Sequence, residues 1–480
     1  MTQSLLFVGV DLGTSSVKVT ALSEKGRVVA KTSASYPTQR PEIGAALQDP
    51  ELWVKATIDA LRELNDKTRG SRWAGIALAG MLPTLVILNS KLEPVGSAVT
   101  WEDSRAETQA QAFLSKHGAD LYQVTGQRVD ARYLIPMFER QKSQNRYVAD
   151  VAAFVVGAKD YLFHALTKTL LTDPSTATGF GCYDIKANSW TQAVSLLPGV
   201  PELAPSETIR PLEQTIARQI GIEPGLPIVL GAADSVLGAL GLNVSRRGDI
   251  AYISGTSTVV LGVEDKYVPD SKQRYLVTPM AIGGFGVEMD LLATGSAIKW
   301  IGGLFGFADQ RQVVQAAFDT PIYTAPTFLP YLAPGEQGAL WNPNLQGTLL
   351  NLSIANSRNE IARGLLNGIL IESARCLRVL SALFHSLAPT VHVSGWSAQS
   401  GEFKQALADI SGFAVVSDTT RESEHTSIGA AILAGRVVGD SGFEFVSRSE
   451  VVAPNPGAAA DWAEAFDRYE QARENIFGVS

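Results

Sequence analysis

The chain contains few residues of the types that build metal centres and disulfide frameworks. Its 480 residues include two cysteines, Cys182 and Cys376, and five histidines. No Cys-x-x-Cys pair occurs, which excludes a zinc ribbon and a dithiol redox motif. Two distant thiols do not form a disulfide scaffold, and the histidines lack the spacing of metal ligands. The cysteine usage therefore favours a reducing compartment.

Long runs of one chemical character are also missing. No run of five or more basic residues occurs and the net charge is −8, so we expect no nucleic-acid partner. No apolar run is long enough to cross a bilayer, and no basic-then-apolar leader precedes the strand that begins by Leu5. These features predict a cytoplasmic protein with no membrane partner.

Two common nucleotide-binding loops are absent. The sequence has no GxxxxGK[ST] loop and no complete GxGxxG after a strand, which leaves a Rossmann dinucleotide site unsupported. The segment Gly395-Trp396-Ser397-Ala398-Gln399 is similar to a hydrolase nucleophile elbow, but Gln399 replaces its last glycine.

The composition is that of a globular protein with more than one core. Hydrophobic residues make up 45% of the chain and charged residues 18%, so burial can offset the loss of chain entropy. The length suits two large domains. Strands and helices alternate, which predicts an α/β architecture with mixed sheets flanked by helices. One long helix is predicted near 146–167.

A strand, a small-residue turn and a second strand occur twice. The first turn is Gly13-Thr14-Ser15 and the second is Gly255-Thr256-Ser257, each following an apolar strand. Each copy opens about half of the chain. We therefore predict a duplicated domain, with boundaries at 1–244 and 245–480 and two phosphate loops facing one cleft.

The first turn has the composition of a phosphate site. Successive backbone N–H groups in a tight turn form a concave anion site, and glycine lets phosphate oxygens approach. Thr14 and Ser15 add hydroxyl donors, and Lys18 is placed to reach the cleft. Asp11 ends the first strand, where its oxygens suit Mg²⁺. The alternative is an ordinary hairpin turn with a solvated Asp11, and the second copy of the turn favours the phosphate loop.

Asp234 follows a short apolar strand and opens a helix rich in small residues. A carboxylate there is placed to accept the proton of an attacking hydroxyl, the one base that phosphoryl transfer needs. The alternative is a plain helix cap, which is common for aspartate. We expect Asp234 to stay ionised near neutral pH, because it lies at a helix N-terminus.

Six sequence blocks together resemble one family. The blocks are Val10-Asp11-Leu12-Gly13-Thr14-Ser15-Ser16-Val17-Lys18, Lys159-Asp160-Tyr161-Leu162 with Thr172-Asp173-Pro174-Ser175, Gly231-Ala232-Ala233-Asp234, Ser254-Gly255-Thr256-Ser257, Phe328-Leu329-Pro330-Tyr331-Leu332 and Ala408-Asp409-Ile410-Ser411-Gly412. Over nearly its whole length the chain resembles the FGGY carbohydrate kinases, and within them the xylulokinases. The resemblance implies two duplicated actin-like (ribonuclease H-like) domains with a cleft between them.

The resemblance also implies roles for individual residues. Asp234 would be the general base and Asp11 would organise the transfer, with both near Mg²⁺. The residues implied for ATP are Gly13, Thr14, Ser15, Lys18, Gly255, Thr256, Gly295, Lys299, Gly395 and Ala398. The residues implied for the sugar are Met81, Leu82, Trp101, Asp103 and Asp234. Trp300 is expected to be a core residue.

The chain departs from the xylulokinase pattern where the sugar would bind. Xylulokinases carry Gln-Met-His-Gly after the strand that ends near Ala79, whereas this chain has Gly80-Met81-Leu82-Pro83-Thr84. Loss of that histidine donor leaves an apolar wall, which predicts a changed acceptor. The adenosine loop is Gly395-Trp396-Ser397-Ala398 instead of Gly-Gly-Gly-Ala. Trp396 would either stack near adenine or fill space.

The sequence thus predicts an ATP- and Mg²⁺-dependent kinase whose acceptor is a ketose such as xylulose or a related polyol. Two alternatives stay open. One is a kinase for another small alcohol, such as ribulose, a deoxy sugar or a diol. The other is a catalytically weak sugar-binding regulator on the same fold, suggested by the altered adenosine loop and by Ser235. A homodimer is also left open.

Overall fold

The computed structural model describes residues 4–333, 336–385, 389–418, 424–439 and 449–478. The strands of the first half are β1 (Leu5–Leu12), β2 (Ser16–Ser23), β3 (Val28–Ser35), β4 (Leu47–Gln48), β5 (Arg72–Gly80), β6 (Val86–Leu88), β7 (Ala98–Val99), β8 (Phe154–Val156), β9 (Leu171–Thr172), β10 (Tyr183–Asp184), β11 (Ser189–Trp190), β12 (Glu202–Leu203), β13 (Ile209–Pro211) and β14 (Pro227–Ala233). The helices of this half are α1 (Pro50–Lys67), α2 (Glu107–His117), α3 (Leu121–Thr125), α4 (Leu134–Gln144), α5 (Arg146–Val151), α6 (Ala158–Thr167), α7 (Pro174–Ala177), α8 (Gln214–Ile220) and α9 (Asp234–Gly241), with 3₁₀ turns at Thr178–Phe180 and Gln192–Leu196.

The second half is built from fewer and longer elements. Its strands are β15 (Asp249–Ser254), β16 (Thr258–Glu264), β17 (Leu276–Pro279), β18 (Phe285–Leu291), β19 (Thr327–Leu329), β20 (Thr348–Leu350), β21 (Thr390–Gly395), β22 (Ala414–Asp418) and β23 (Ser449–Val452). Its helices are α10 (Gly295–Phe305), α11 (Gln310–Phe318), α12 (Arg358–Phe384), α13 (Gly401–Ser411), α14 (His425–Val438) and α15 (Ala459–Phe477), with 3₁₀ turns at Ile322–Thr324, Ser397–Gln399 and Pro456–Ala458.

Two mixed sheets carry the architecture, and they repeat one plan. The first runs β13-β14-β5-β1-β2-β3 and the second runs β17-β18-β16-β15-β21-β22-β23. In each, the opening strand pairs antiparallel with the next strand and parallel with a later one: β1 with β2 and β5, β15 with β16 and β21. The predicted α/β class with duplicated strand–turn–strand units is confirmed.

Local sequence explains where the elements begin. β1 is a largely apolar run that is buried at seven of its eight positions, as a central strand covered on both faces requires. Asp49 caps α1 by accepting the Glu51 N–H at 2.9 Å, and Pro50 occupies the first turn, as predicted. Trp53, Leu61 and neighbours on one face of α1 are buried against the sheet.

One predicted helix is wrong. Residues 146–167 form α5, then β8, then α6, and β8 pairs antiparallel with β6. The short apolar run that forms β8 shows no alternation of polar and apolar residues. The strand with which it pairs lies far away in the sequence. A helix and a buried strand are indistinguishable in such a run when only periodicity is considered.

The two halves join through two crossing helices. α14 packs on α9 and also covers β1 and β5 of the first sheet. A Cβ at Gly429 of α14 would lie 1.8 Å from the Leu237 carbonyl oxygen, and a Cβ at Gly9 of β1 would lie 1.9 Å from the Ser427 carbonyl oxygen. Glycine permits backbone-to-backbone contact at both places. Within the described residues, no helix is long and apolar enough to span a membrane.

Candidate active site

The first small-residue turn joins β1 to β2 and is held on several sides. The Gly13 N–H donates to the Ser16 carbonyl at 3.2 Å, which closes the turn. The Trp101 indole N–H donates to the Thr14 hydroxyl at 3.0 Å, and the Gln48 amide donates to the Thr14 carbonyl at 2.7 Å. A residue predicted for the sugar thus contacts a residue predicted for the phosphates.

The second turn joins β15 to β16 and lies against the start of α10. The Gly255 N–H donates to the Ser257 carbonyl at 2.8 Å, and the Thr256 carbonyl accepts the Ser296 N–H at 3.0 Å. A Cβ at Gly295 would lie 2.1 Å from the Gly255 carbonyl oxygen, so only glycine fits there. Gly255 and Thr256 are exposed beside a helix N-terminus, an arrangement suited to phosphate.

The loop after β21 is tied to the same place. Gly395 has φ +73°, and the Ser254 hydroxyl accepts the Ser397 N–H at 2.9 Å. The structure therefore brings Gly255, Thr256, Gly295 and Gly395 together. Ala398 is half-buried in the 3₁₀ turn that follows.

Two tryptophans near this loop differ in their surroundings. Trp396 packs edge-on against Phe403, with ring centroids 4.7 Å apart, so its indole fills space in the second domain. Trp300 is 49% exposed on α10, next to the exposed Lys299, and the prediction that it is a core residue is wrong. The α10 stripe that is buried contains Ala297, Ile298 and Ile301 instead.

Asp234 opens α9 directly after β14. Its carboxylate accepts the N–H of Ser235 at 2.8 Å, and the residue in the cap position is Ala233. Burial in the cleft raises the pKa of Asp234 to about 7, and repulsion from Asp11 and Asp290 adds to the shift. The expectation that a helix N-terminus keeps Asp234 fully ionised is therefore wrong, because desolvation outweighs the helix dipole.

Asp11 lies on β1 opposite Lys18 of β2 and is 6% exposed. Burial raises its pKa to about 6, while Lys18 opposes the shift and Glu424 adds to it. Its Oδ1 atom is buried and has no hydrogen-bond partner among the described residues. Such an oxygen is available to a cation or to a water that the cation holds. Within the described ranges, no group of three or more His, Cys, Asp or Glu side chains is arranged to hold a metal.

Two further carboxylates that the sequence analysis missed lie beside Asp234. The Ser235 hydroxyl donates to Glu288 Oε2 at 2.9 Å, and Glu288 is followed on the same face of β18 by Asp290. Burial raises the pKa of both carboxyls, and their mutual repulsion raises that of Glu288 further. Both residues are far from Asp234 in the sequence. Their spacing of two residues predicts only that they share one face of a strand, and it gives no sign that this face lies beside Asp234.

The wall predicted for the sugar is partly apolar. Met81 is 2% exposed, and Leu82 and Pro83 are half-buried. Asp103, also predicted for the sugar, is buried, and its carboxylate accepts the Ala46 N–H at 3.1 Å and forms an ion pair with Arg105 at 2.6 Å. Its oxygens are thus already engaged by protein donors.

A buried polar network supports the backbone that leads into Asp234. The Ala233 N–H donates to the Ser175 hydroxyl at 2.8 Å, and Ser175 donates in turn to Asp173. The Lys159 ammonium lies 3.0 Å from Asp173 Oδ1 and donates to the Leu230 carbonyl at 3.3 Å. That carbonyl lies where the pairing of β14 with β5 shifts register, which frees ladder groups to take other partners.

Comparison with family models identifies the chain. Residues 6–241 match the N-terminal domain of the FGGY family of carbohydrate kinases, and residues 250–438 match the C-terminal domain of the same family. The chain belongs to the FGGY family of carbohydrate kinases. The FGGY resemblance that the sequence blocks carry is therefore confirmed, and with it ATP as the phosphate donor that this family uses.

Curated relatives named gluconokinase and xylulose kinase are about equally similar to this chain in sequence. A gluconokinase from Bacillus subtilis (strain 168) is 27% identical over 445 residues, which cover 89% of this chain and 86% of the relative. A xylulose kinase from the same organism is 26% identical over 438 residues, covering 89% and 87%. Overall similarity to these FGGY proteins leaves the acceptor undecided.

Solved FGGY structures share the fold over the whole chain. The xylulose kinase from Lactobacillus acidophilus superimposes with a TM-score of 0.90 at 24% identity, covering 98% of both chains. The gluconate kinase from the same organism has a TM-score of 0.91 at 24% identity, covering 99% of this chain and 98% of the other. Both comparisons confirm the predicted fold class of the FGGY chain.

Proposed function

We propose that this chain transfers the terminal phosphoryl group of ATP to a terminal hydroxyl of a ketose such as xylulose, or of a related polyol. The observation that carries the proposal is the position of Asp234. Asp234 begins α9, where the two halves of the chain meet. The negative charges of Asp11 in the first half and of Asp290 in the second both raise its pKa. A carboxylate between the two phosphate turns is suited to receive the proton of the attacking hydroxyl.

The role proposed for Asp234 is that of an oriented proton acceptor. One of its oxygens is fixed by the Ser235 N–H, which leaves the other for the acceptor hydroxyl. A pKa of about 7 places the base near the operating pH, where proton acceptance during transfer is most efficient. The apolar wall of Leu82 and Pro83 would keep water from the same position and so limit hydrolysis of ATP.

The phosphates of ATP are proposed to lie between the two turns. Thr14 and Ser15 would donate from the first turn and Thr256 from the second, with Lys18 adding positive charge. Gly13 and Gly255, whose N–H groups close their own turns, would let the phosphate oxygens approach the backbone. Donors that are already fixed by their own hydrogen bonds stabilise developing charge without reorganising. On the nucleoside side, Gly295, Lys299, Gly395 and Ala398 would line the path to the adenosine.

The chemistry of Asp11 and Asp234 fits Mg²⁺. Mg²⁺ binds one or two carboxylates, keeps several waters and takes its other oxygens from phosphates, so a site with fewer than three protein ligands is compatible with it. The unpartnered Oδ1 of Asp11 supplies one such oxygen. When bound, the ion would neutralise charge on the phosphates.

Trp101 and Asp103 are proposed to shape the sugar side, Trp101 through its bond to Thr14 and Asp103 through its hold on Arg105.

An acceptor panel tests the proposed function. ADP release would be measured with ATP and Mg²⁺ on xylulose, ribulose, deoxy sugars, linear polyols and small diols. We expect turnover on ketoses or polyols that depends on both ATP and acceptor. Strong turnover confined to a deoxy sugar or diol would replace the ketose proposal. Binding of ATP with no turnover on any acceptor would favour a sugar-binding regulator.

The pH dependence of kcat/KM is a separate prediction. Because burial raises the pKa of Asp234 to about 7, the protonated and inactive form accumulates as the pH falls through 7. We expect kcat/KM to fall about tenfold per pH unit below that value and to level off above it. Steady-state rates measured between pH 5 and 9 would show this fall in kcat/KM on the acid side. A profile flat down to pH 5 would remove Asp234 from the role of base.

A further inference from the structure

Two side chains from outside the first turn hold its backbone carbonyl groups. The Tyr36 hydroxyl donates to the Gly13 carbonyl, and the Gln48 side-chain amide donates to the Thr14 carbonyl at 2.7 Å. Tyr36 is 7% exposed and Gln48 is 1% exposed, so water has little access to either bond. Neither side chain was predicted for the site from the sequence, because both residues lie more than a full strand beyond the turn.

The orientation of the Gln48 amide is itself fixed. Its Oε1 atom accepts the Trp53 indole N–H at 2.8 Å, and an indole can only donate, so this contact identifies the oxygen end of the amide. Its Nε2 atom donates to the Thr14 carbonyl and also to the Thr38 hydroxyl at 2.7 Å. Turning the amide over would place oxygen against oxygen at Thr14, so Gln48 presents only a donor to the turn.

These bonds determine the direction of the two N–H groups that follow. A peptide bond is planar and trans, so a carbonyl and the next N–H point in opposite directions. Because the carbonyls of Gly13 and Thr14 face buried side chains, the N–H groups of Thr14 and Ser15 face away from them. Neither N–H donates to any described residue, and Ser15 is exposed while Thr14 is half-buried. Two successive free N–H groups are an arrangement that binds anions.

The second turn is held by a helix instead. The Thr256 carbonyl accepts the N–H groups of Thr294 and Ser296 at 3.3 and 3.0 Å, and it accepts the Ser296 hydroxyl at 3.0 Å. These donors come from the start of α10. Single side-chain substitutions can therefore loosen the first turn while the backbone bonds of the second stay in place.

We propose that Tyr36 and Gln48 are positioning residues that keep the first turn ready for the phosphates of ATP. They act through the backbone, by fixing the peptide planes so that the N–H groups of Thr14 and Ser15 are presented before the nucleotide arrives. A site that is already ordered loses less freedom on binding, so both side chains should raise affinity for the phosphates but not for adenosine. The inference rests on the proposed function, in which the phosphates lie between the two turns.

Tyr36→Phe tests the inference by removing one oxygen while keeping the ring. The probes are a non-hydrolysable ATP analogue with Mg²⁺ and adenosine, which has no phosphate. We expect the affinity for the analogue, relative to adenosine, to fall about three- to tenfold, the range for loss of one hydrogen bond. Gln48→Met should have an effect of similar size, and the double variant should lose at least about tenfold. Equilibrium dialysis measures both affinities without turnover.

Tyr275→Phe is the matched control. Tyr275 is 3% exposed, and its hydroxyl donates to the Val268 carbonyl at 2.8 Å, in a segment that contains none of the residues proposed for ATP. The control removes the same atom from the same kind of bond. It should lower the urea midpoint of unfolding about as much as Tyr36→Phe does, and it should leave the affinity ratio unchanged.

The outcomes separate the inference from the proposed function. Wild-type protein that binds the analogue no more tightly than adenosine overturns the inference, because the phosphates then gain nothing from the turn. Equal losses for both probes in Tyr36→Phe, or an unchanged ratio in Tyr36→Phe and Gln48→Met, also overturn it. Absence of turnover on every acceptor in the panel, with the selective loss of analogue affinity observed, overturns the kinase proposal alone.

Discussion

Asp234→Ala is expected to lower kcat by roughly 10²–10⁴, the range for a positioned acid or base. The carboxylate is the group proposed to take the proton of the acceptor hydroxyl, and removing it leaves water as the proton acceptor. Nucleotide affinity should change little, because the residues proposed for the nucleotide lie on other elements. Single-turnover rates and equilibrium binding of a nucleotide analogue would measure the two effects separately.

A capping variant provides the control for the competing interpretation of Asp234. Asn145 caps α5 by accepting the Tyr147 N–H at 3.0 Å, and Asn145→Ala should cost about 0.5–2 kcal/mol of stability with kcat unchanged. If Asp234 were only a helix cap, its variant would behave in the same way. Equal kcat in Asp234→Ala and wild type would therefore remove the residue from the chemistry.

Lys159→Met should lower the free energy of unfolding by about 3–5 kcal/mol, because it breaks a buried ion pair and leaves the carboxylates of Asp173 and Asp160 without their cation. The Lys159 and Asp173 side chains are 1% and 0% exposed, so the Asp173 carboxylate cannot regain water in the folded state. The variant also removes the donor to the Leu230 carbonyl. Urea unfolding followed by tryptophan fluorescence would give the shift in midpoint.

A surface pair and a double variant control for this loss. Lys142 pairs with Glu139 on α4 with side chains 40% and 31% exposed, and Lys142→Met should cost less than about 1 kcal/mol. Adding Asp173→Asn to Lys159→Met should restore part of the stability, because only one of the two buried carboxylates that lose the ammonium, Asp160, then keeps its charge. A single variant as stable as wild type would show that water reaches Asp173.

Features that depend on neighbouring residues were predictable from the sequence. The two strand–turn–strand units form because apolar runs flank Gly13-Thr14-Ser15 and Gly255-Thr256-Ser257, and the start of α1 follows from Asp49 and Pro50. These signals are local, so no knowledge of the tertiary fold is needed to recognise them. The family blocks extended the prediction to the duplicated fold, which the comparisons confirm.

Features that depend on distant partners were not predictable in the same way. β8 exists because β6 pairs with it, and the sequence near Val155 gives no sign of that partner. Trp300 is exposed because α10 turns its small and β-branched residues inward, which residue size alone does not reveal. In both places tertiary contacts override the local preference.

The electrostatics of the site also required the fold. The sequence places Asp234 at a helix start, where a low pKa is expected, but the cleft around it removes water and adds other carboxyls. Glu288 and Asp290 reach the site because β18 is placed in the cleft by the second sheet. The roles of individual residues in binding ATP and the acceptor stay predictions.

The crossing of α9 and α14 limits how this protein can be recombined with its relatives. α14 comes late in the chain, yet its residues Ile428 and Ile432 complete a hydrophobic core with Phe7 and Val229 of the first sheet. The contacts at Gly9 and Gly429 leave no room for a methyl group on either side. A chimaera made by exchanging halves between enzymes of different specificity must therefore keep α14 with the amino-terminal sheet it covers. An exchange at the midpoint of the chain would separate the amino-terminal sheet from α14, the helix that covers part of its hydrophobic core.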